Sequence, residues 1–255
     1  LRLSPSRIND FTNCPQLYKY RAIDQLPEPP SVDAERGKLV HAVLEDLFEL
    51  PAAERTIDSA RAALPIRWQE ALAEKPELST LVLDEKEWMD RATSLLQNYF
   101  GLEQPHTFES TYRELHLERN LSDEMYLHGY VDRIDVAPTG QVRIVDYKTG
   151  SRTPFGAIQA GLYAAGIERT MGIRPKYGAF FMTRQGTLGD LINLDHLTMD
   201  YFDYVFGAMN HSVMQGIFPP SVGDSCRMCS FVDKCPAMGQ TGFIPLNTIN
   251  RKENK

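Results

Sequence analysis

The sequence lacks any apolar run of the roughly 18 to 20 residues that a bilayer-spanning helix needs, and its N-terminus lacks the basic-then-apolar layout of a signal peptide. We therefore expect a cytoplasmic protein with no membrane partner, in the host cytoplasm if a phage encodes it. Internal repeats, low-complexity tracts and a G-x-x-x-x-G-K-[ST] phosphate loop are also missing. An ATP-driven motor would therefore have to be another chain, such as a helicase partner.

Net positive charge is missing as well, since the formal charge is -7. This argues against a protein whose whole surface binds nucleic acid, because counterion release rewards clustered Lys and Arg. A local basic groove stays compatible with that charge, and some of the acidity could be concentrated at a metal site. Cysteine is scarce too: the four present are better interpreted as metal ligands or free thiols than as disulfides in a reducing cytosol.

Along the chain, segments with the apolar spacing of helices are followed by segments with the alternation of strands, and this predicts an α/β core. Ser4 and Pro5 begin a capped helix that leads to Cys14. The stretch 54–102 is predicted to be helical throughout, with breaks near Pro65 and Pro76. Further helices are predicted at 34–50, 156–171 and 199–215, and strands at 107–118, 125–136, 141–147 and 177–183.

Two of these strands form a predicted hairpin, because the Ala137-Pro138-Thr139-Gly140 connection has the residues of a tight turn. With its centre at Thr139, residues whose numbers sum to 278 face each other, so Asp132 lies opposite Asp146. Asp146 and Lys148 share a face because side chains alternate along a strand. The same arithmetic sets Asp135 opposite Arg143, where an ion pair is a sufficient explanation, and Asp135 is therefore not a candidate site residue.

Two neighbouring carboxylates repel each other, and a divalent cation such as Mg²⁺ would remove that cost. The metal would polarise a phosphate and help to generate hydroxide for phosphodiester hydrolysis, with Lys148 orienting the attacking water. The alternative is that Asp132 and Asp146 are ordinary strand-end residues and that Lys148 is their salt-bridge partner. Spacing alone leaves both interpretations open.

The strings GYVDRID and VDYKTG, with GKLVHAVLE upstream and QAGLY downstream, resemble the RecB-like branch of the PD-(D/E)xK nuclease superfamily. The resemblance implies a restriction-endonuclease-like α/β core in which helices flank a mixed central sheet, formed as a single domain by residues 1–245. Residues 54–102 would then be a helical insertion, and 246–255 a polar tail. Val131 stands where the family motif has proline, a departure that is common in this branch.

The resemblance also implies a metal site for Mg²⁺ or Mn²⁺ and a set of catalytic residues. The metal ligands would be His41, Asp132, Asp146 and the backbone carbonyl of Tyr147. The catalytic residues would be Asp132, Asp146, Lys148, Gln159 and Tyr163. The last two match a Q-x-x-x-Y motif that is thought to position the DNA and the active site.

The four cysteines suit either tetrahedral zinc or an iron-sulfur cluster. Cys226, Cys229 and Cys235 form C-x2-C-x5-C, more than 200 residues after Cys14. This layout resembles the iron-staple nucleases, namely the AddB nuclease domain and the CRISPR-associated RecB-like nucleases. The resemblance implies a 4Fe-4S cluster that joins the N-terminal segment to residues 226–235, with Zn²⁺ as the alternative.

The function that follows is a metal-dependent deoxyribonuclease, an exonuclease acting on single-stranded DNA or duplex ends in recombination, repair or CRISPR-type processing. The alternative is a catalytically inactive DNA-binding or scaffold subunit of a helicase-nuclease or repair complex. A third interpretation is the nuclease domain of a larger helicase-nuclease. Trp68 and Trp88 are expected in the core. Five histidines show no partner pattern and are expected to be surface or core residues: His106, His116, His128, His196 and His211.

Overall fold

The computed structural model describes residues 2–120, 125–150 and 157–238, and these divide into two compact units. The smaller unit comprises 1–30 and 200–255, and the larger one comprises 31–199. The predicted polar tail, 246–255, lies outside the described residues. No helix in the described part of the chain is long and apolar enough to span a bilayer.

In chain order the helices are α1 (Pro5–Asn13), α2 (Pro15–Tyr18), α3 (Val32–Glu49), α4 (Ile57–Glu74), α5 (Leu78–Leu81), α6 (Glu85–Leu102), α7 (Ile158–Met171) and α8 (Met199–Gln215). The strands are β1 (Arg2–Leu3), β2 (Tyr112–Asn120), β3 (Tyr126–Val136), β4 (Val142–Lys148), β5 (Tyr177–Met182), β6 (Thr187–Leu188) and β7 (Ile192–Asn193). A π-helical turn at Lys19–Ile23 follows α2 directly.

The larger unit is built on a mixed sheet. Strands β2, β3 and β4 pair antiparallel in that order, β4 pairs parallel with β5, and β5 pairs antiparallel with both β6 and β7. The parallel step from β4 to β5 is made through α7, which is the crossover that such a step requires. The fold is thus the mixed α/β sheet flanked by helices that the sequence predicted.

One face of this sheet is covered by α3, α4 and α6, whose apolar side chains form a common core with Val145, Tyr147 and Phe181. Trp68 and Trp88 lie in that core with ring centroids 4.6 Å apart, which confirms their predicted burial. Burial of large apolar side chains is the main stabilising contribution here, at about 1.5–3 kcal/mol for each one fully buried. The helices at 54–102 therefore complete the core of this unit.

The predicted hairpin register is confirmed, since Arg133 pairs with Val145 and Asp135 with Arg143, and both pairs sum to 278. The predicted Asp135–Arg143 ion pair also forms, with Asp135 Oδ2 2.9 Å from Arg143 Nη2. Asp135 additionally accepts a hydrogen bond from the buried Arg133, whose guanidinium donates to Glu103 at the end of α6. These ion pairs explain why the charged Arg133 is tolerated on the buried face of β3.

Two predicted boundaries were wrong. Strand β2 begins at Tyr112 rather than Thr107, because Pro105–Thr107 forms a 3₁₀ turn and the Arg55 guanidinium takes the Phe108 carbonyl at 2.9 Å. Helix α4 runs through Pro65 without a break. Buried Leu64 and Trp68 anchor the helix on both sides of the proline, so their packing offsets the missing hydrogen bond.

Candidate active site

Strands β3 and β4 bring the predicted carboxylates and lysine together. Asp146 and Lys148 lie two residues apart on β4, and Lys148 Nζ is 2.5 Å from Asp146 Oδ2. Asp132, on the neighbouring strand, accepts a hydrogen bond of 2.8 Å from the Tyr147 backbone amide. The hairpin therefore fixes Asp132 against β4 through a main-chain contact, so its position does not depend on a flexible side-chain partner.

Helix α7 adds Gln159 to this group. The Gln159 amide accepts a hydrogen bond from Lys148 Nζ at 2.8 Å and donates one to Asp146 Oδ1 at 2.7 Å. Asp146 Oδ2 is buried and accepts no hydrogen bond of ordinary geometry, although Lys148 lies beside it. Asp146, Gln159 and Lys148 thus form a closed triangle in which one carboxylate oxygen is only partly satisfied.

Tyr163, four residues after Gln159 on the same helix, packs against the backbone of β3. A Cβ atom added at Gly129 would lie 2.8 Å from the Tyr163 hydroxyl, so the glycine is what allows this close approach. Burial raises the pKa of the Tyr163 phenol beyond its ordinary value, and the charges of Asp146 and Asp132 raise it further. The hydroxyl therefore stays protonated next to the carboxylates and can donate a hydrogen bond.

A second group of side chains lies at the other side of Asp132. His41, on α3, has Nδ1 3.5 Å from Asp132 Oδ2. Ligand atoms of His41, Asp132 and Glu114 all lie within 4.8 Å of one another. Asp146 lies beside this group rather than within it, and its carboxylate contacts Lys148 and Gln159.

Glu114 is the residue that the sequence analysis missed. Its neighbours Arg113 and Leu115 pair with Arg133 and Val131, which places Glu114 opposite Asp132 across the β2–β3 ladder. Its φ of 40° is in the left-handed region, which is uncommon for a residue other than glycine. The signal that could have found it is the register of β2 against β3, since Glu114 belongs to no quoted motif.

Because these ionisable side chains lie close together, their pKa values are shifted. Burial and then the charge of Asp132 raise the pKa of Glu114 to about 7, against an opposing effect of His41. Burial alone would lower the pKa of His41, but its hydrogen bond to Asp132 and the surrounding carboxylates raise it to about 9. Burial and the charge of Asp132 raise the pKa of Asp146 as well, and Lys148 opposes this effect only in part.

This donor set fits a divalent metal ion. Carboxylate oxygens suit Mg²⁺ and Mn²⁺, and the imidazole of His41 is an acceptable further ligand for Mn²⁺. Because the pKa values of Glu114 and His41 are raised, both groups hold their protons to higher pH than usual, and a bound cation would displace those protons. An open cavity of about 430 Å³ beside His41 and Glu114 gives solvent access to the group.

Tyr147 contributes to the site through its backbone. Its amide holds Asp132, while its phenol points into the core and accepts a hydrogen bond from Arg133 at 2.7 Å. The role of its carbonyl as a metal ligand stays a prediction.

The four cysteines all belong to the smaller unit. The Ser221 amide donates to Cys14 Sγ and the Gly223 amide to Cys226 Sγ, each at 3.4 Å. Burial raises the pKa of the Cys229 thiol, and the nearby Cys14 and Cys226 raise it further. The groups of potential metal ligands within 4.8 Å of one another, among the described residues, include no cysteine.

Comparison with known proteins gives a consistent result. The sequence profile of the PD-(D/E)XK nuclease superfamily matches residues 2–236. The Gene 69 proteins of Mycobacterium phages D29 and L5 are 27% and 24% identical to the chain, each over 91% of its length and over 96% and 95% of their own. A crystal structure from Eubacterium rectale, named "Putative exonuclease", superposes with a TM-score of 0.52 at 14% identity, covering 95% of this chain and 94% of that one.

Proposed function

Because the chain belongs to the PD-(D/E)XK nuclease superfamily, we propose that it is a metal-dependent deoxyribonuclease, and specifically an exonuclease acting on single-stranded DNA or DNA ends. The observation that carries the proposal is the triangle of Asp146, Gln159 and Lys148 beside the group of His41, Glu114 and Asp132. The name of the structural relative supports exonuclease over other nuclease activities.

The metal ligands in this proposal are His41, Asp132, Asp146 and the Tyr147 backbone carbonyl, with Glu114 added on the geometry above. Bound Mg²⁺ or Mn²⁺ would polarise the scissile phosphate and lower the pKa of a coordinated water.

The protein groups have separate tasks in the hydrolysis. Lys148 orients the attacking water and offsets the negative charge that develops on the phosphate. Water adds to phosphorus, the bond from phosphorus to one ester oxygen breaks, and that oxygen leaves with a proton. Gln159 holds Lys148 and Asp146 through its two hydrogen bonds, and the buried Tyr163 helps to position the active site and, with it, the DNA.

The test is a nuclease assay on labelled single-stranded and blunt-ended DNA, with Mg²⁺ and with Mn²⁺. Lys148→Ala should lower the turnover rate at least about 100-fold, which is the loss caused by removing one transition-state charge donor. Lys86→Ala, at an exposed position on α6, is the matched control and should keep parent activity.

Full activity of Lys148→Ala would contradict the catalytic assignment. Absence of any DNA cleavage by the folded parent protein with either metal would favour the scaffold function instead. Cleavage of RNA in preference to DNA would overturn the choice of substrate.

We further propose a role in DNA recombination or repair in the cytoplasm of the bacterial host, with a helicase or recombination partner. The phage origin of the Gene 69 relatives supports this setting. Co-purification of a tagged protein from phage-infected cells would test for the partner.

We also propose that Cys14, Cys226, Cys229 and Cys235 hold a 4Fe-4S cluster. Their placement in one unit supports a common ligand. Four thiolates on a single Zn²⁺ would lie about 3.8 Å apart, given a Zn–S distance of about 2.3 Å. Among the described residues no three cysteine sulfurs come within 4.8 Å of one another, and a cluster accommodates this because each thiolate there binds a different iron.

Iron and zinc analysis of anaerobically purified protein tests this assignment. We expect about four irons per chain and a brown colour that is lost in Cys14→Ser. Colourless protein with stoichiometric zinc and no iron would contradict the cluster.

A further inference from the structure

Three metal-ligating side chains converge at a second place in the larger unit, away from the candidate active site. His116 and Glu118 lie on β2 and His128 lies on β3, and their ligand atoms are all within 4.8 Å of one another. We propose that these three residues bind a second divalent ion of the Zn²⁺ class, independent of the metal used for hydrolysis.

The strand register explains why the three side chains meet. His128 lies directly opposite Glu118, and His116 lies opposite Tyr130, two residues further along the same ladder and therefore on the same face. The intervening Leu117, Leu127 and Gly129 are buried, so alternation turns the histidines and the glutamate toward solvent. The site is therefore accessible without any rearrangement of the core.

The distances suit metal coordination. His116 Nε2 is 3.3 Å from His128 Nδ1, close to the roughly 3.4 Å expected for two nitrogens about 2.1 Å from a tetrahedral Zn²⁺. Glu118 Oε1 lies 3.9 Å from the same His128 nitrogen, near enough to serve as the third ligand. Two imidazoles and one carboxylate are a donor set that zinc sites use, and they leave a fourth position for water.

The ring of His116 is already held in one orientation before any metal binds. It stacks on Tyr130 with centroids 4.5 Å apart and an angle of 10° between the rings. A ligand whose orientation is already fixed loses little conformational entropy when it binds a metal. A hydrogen bond between two neutral imidazoles would also give a 3.3 Å contact, and this is the competing explanation that the experiment must exclude.

The second site is separate from the catalytic one. His128 is four residues from Asp132 along β3, a separation of about 13 Å at about 3.3 Å per residue. One ion cannot bridge that distance, and the two donor sets share no residue. A metal here would cross-link β2 to β3 on the ribbon that also carries Glu114 and Asp132.

The test is calorimetric titration of Zn²⁺ into tag-free, EDTA-washed protein in which all four cysteines are retained. His116→Gln/His128→Gln should bind one equivalent fewer than the parent. The matched control is His106→Gln/His196→Gln, which removes two exposed histidines of the same unit and should keep parent stoichiometry. Zn²⁺ should raise the melting temperature of parent and control more than that of the His116/His128 variant.

One further double variant separates this site from the proposed nuclease site. His41→Gln/Asp132→Asn, which disrupts the other metal group, should keep the equivalent that His116→Gln/His128→Gln loses. The titration contains no DNA, so the nuclease proposal can fail while this one stands.

Equal stoichiometry and equal affinity in the parent and in His116→Gln/His128→Gln would overturn the site and leave a simple imidazole hydrogen bond. If that double variant does not fold, Glu118→Gln replaces it, because its side chain is 46% exposed. Loss of this direct ligand should weaken Zn²⁺ binding by more than the roughly tenfold that outer-shell changes cost. An unchanged affinity in Glu118→Gln would also overturn the site.

Discussion

Gln159 joins the two groups on which the proposed chemistry depends. Its amide oxygen accepts a hydrogen bond from Lys148, and its amide nitrogen donates one to Asp146. Glutamate could accept from the lysine but could not donate to the aspartate, and leucine could do neither. A carboxamide is therefore the group that satisfies both neighbours at once.

We expect Gln159→Leu to lower the turnover rate about 10- to 100-fold, the range seen when a partner of a metal-site residue is lost. Without the donated hydrogen bond the pKa of Asp146 should rise further, so the acid limb of the pH–rate profile should move to higher pH. Gln69→Leu, on the exposed face of α4, is the control and should match the parent. Reduced activity with an unshifted pH profile would mean that Gln159 is only structural.

At the scale of single residues, the sequence was informative where a motif or a register was available. The arithmetic of the β3–β4 hairpin correctly placed Asp132 beside β4 and paired Asp135 with Arg143, because a four-residue turn leaves little freedom. Glu114 and the His116–His128 pair were missed for the opposite reason. Both depend on the register of β2 against β3, and the connection between those strands carries no tight-turn signature that would fix it.

At the scale of elements, the close approach of α7 to the sheet is what brings Gln159 and Tyr163 to the site. Gly129 and Gly166 make this approach possible, and Gly161 allows α7 to pack closely against Leu197, which follows β7. A Cβ atom at Gly129, Gly161 or Gly166 would come within 2.8 Å of Tyr163, Leu197 or Leu127, respectively. Contacts shorter than 3.0 Å force something to move, and these neighbours are buried.

Gly129→Ala should therefore displace Tyr163 and shift α7. We expect the free energy of unfolding to fall by about 1–3 kcal/mol, as for other overpacked positions. The turnover rate should fall as well, by up to about 100-fold if the shift at the site approaches 1 Å. Denaturant unfolding and the nuclease assay measure the two effects.

Gly101→Ala is the matched control, because a Cβ atom there meets nothing within 4 Å. This glycine lies in the last turn of α6, where alanine is the better helix former, so the free energy of unfolding should not decrease. Equal stability of the parent and Gly129→Ala would show that α7 can yield, and the proposed role of close packing would then be wrong.

The helix and strand types were largely predictable, whereas two boundaries were not. Apolar periodicity identified α8 and the β3–β4 hairpin, since burial on one face imposes a clear pattern. The start of β2 depends instead on Arg55, more than 50 residues earlier, which takes a backbone carbonyl that a strand would otherwise use. Such a long-range contact leaves no local trace in the sequence.

At the scale of the whole molecule, some of the acidic residues that give the chain its negative charge lie together around Asp132. In the metal-free protein, Glu114 has a pKa of about 7 against an ordinary 4.5, and His41 has one of about 9 against 6.5. At pH values between the ordinary and the raised pKa of each group, the folded state binds more protons than the unfolded state. Its free energy of unfolding must therefore fall as pH rises through each window.

We predict that the melting temperature of the EDTA-treated protein decreases from about pH 5 to about pH 9, with Glu114 acting in the lower part of this range and His41 in the upper part. Mn²⁺ should restore stability more at high pH than at low pH, because it replaces the protons that these groups otherwise hold. Each kcal/mol of stability corresponds to roughly 2–4 °C for a chain of this size. Thermal unfolding followed by circular dichroism measures both effects.

Two variants separate the contributions of Glu114 and His41 to the pH dependence of stability. Glu114→Gln removes the carboxylate, so the decrease between about pH 4.5 and 7 should flatten while the upper part is retained. His41→Gln should flatten the upper part, because no imidazolium is left to deprotonate. Glu77→Gln, at an exposed position on another surface, should reproduce the parent curve. Identical slopes in all four proteins would mean that the charges around Asp132 do not control stability, so a cation would not be needed to balance them.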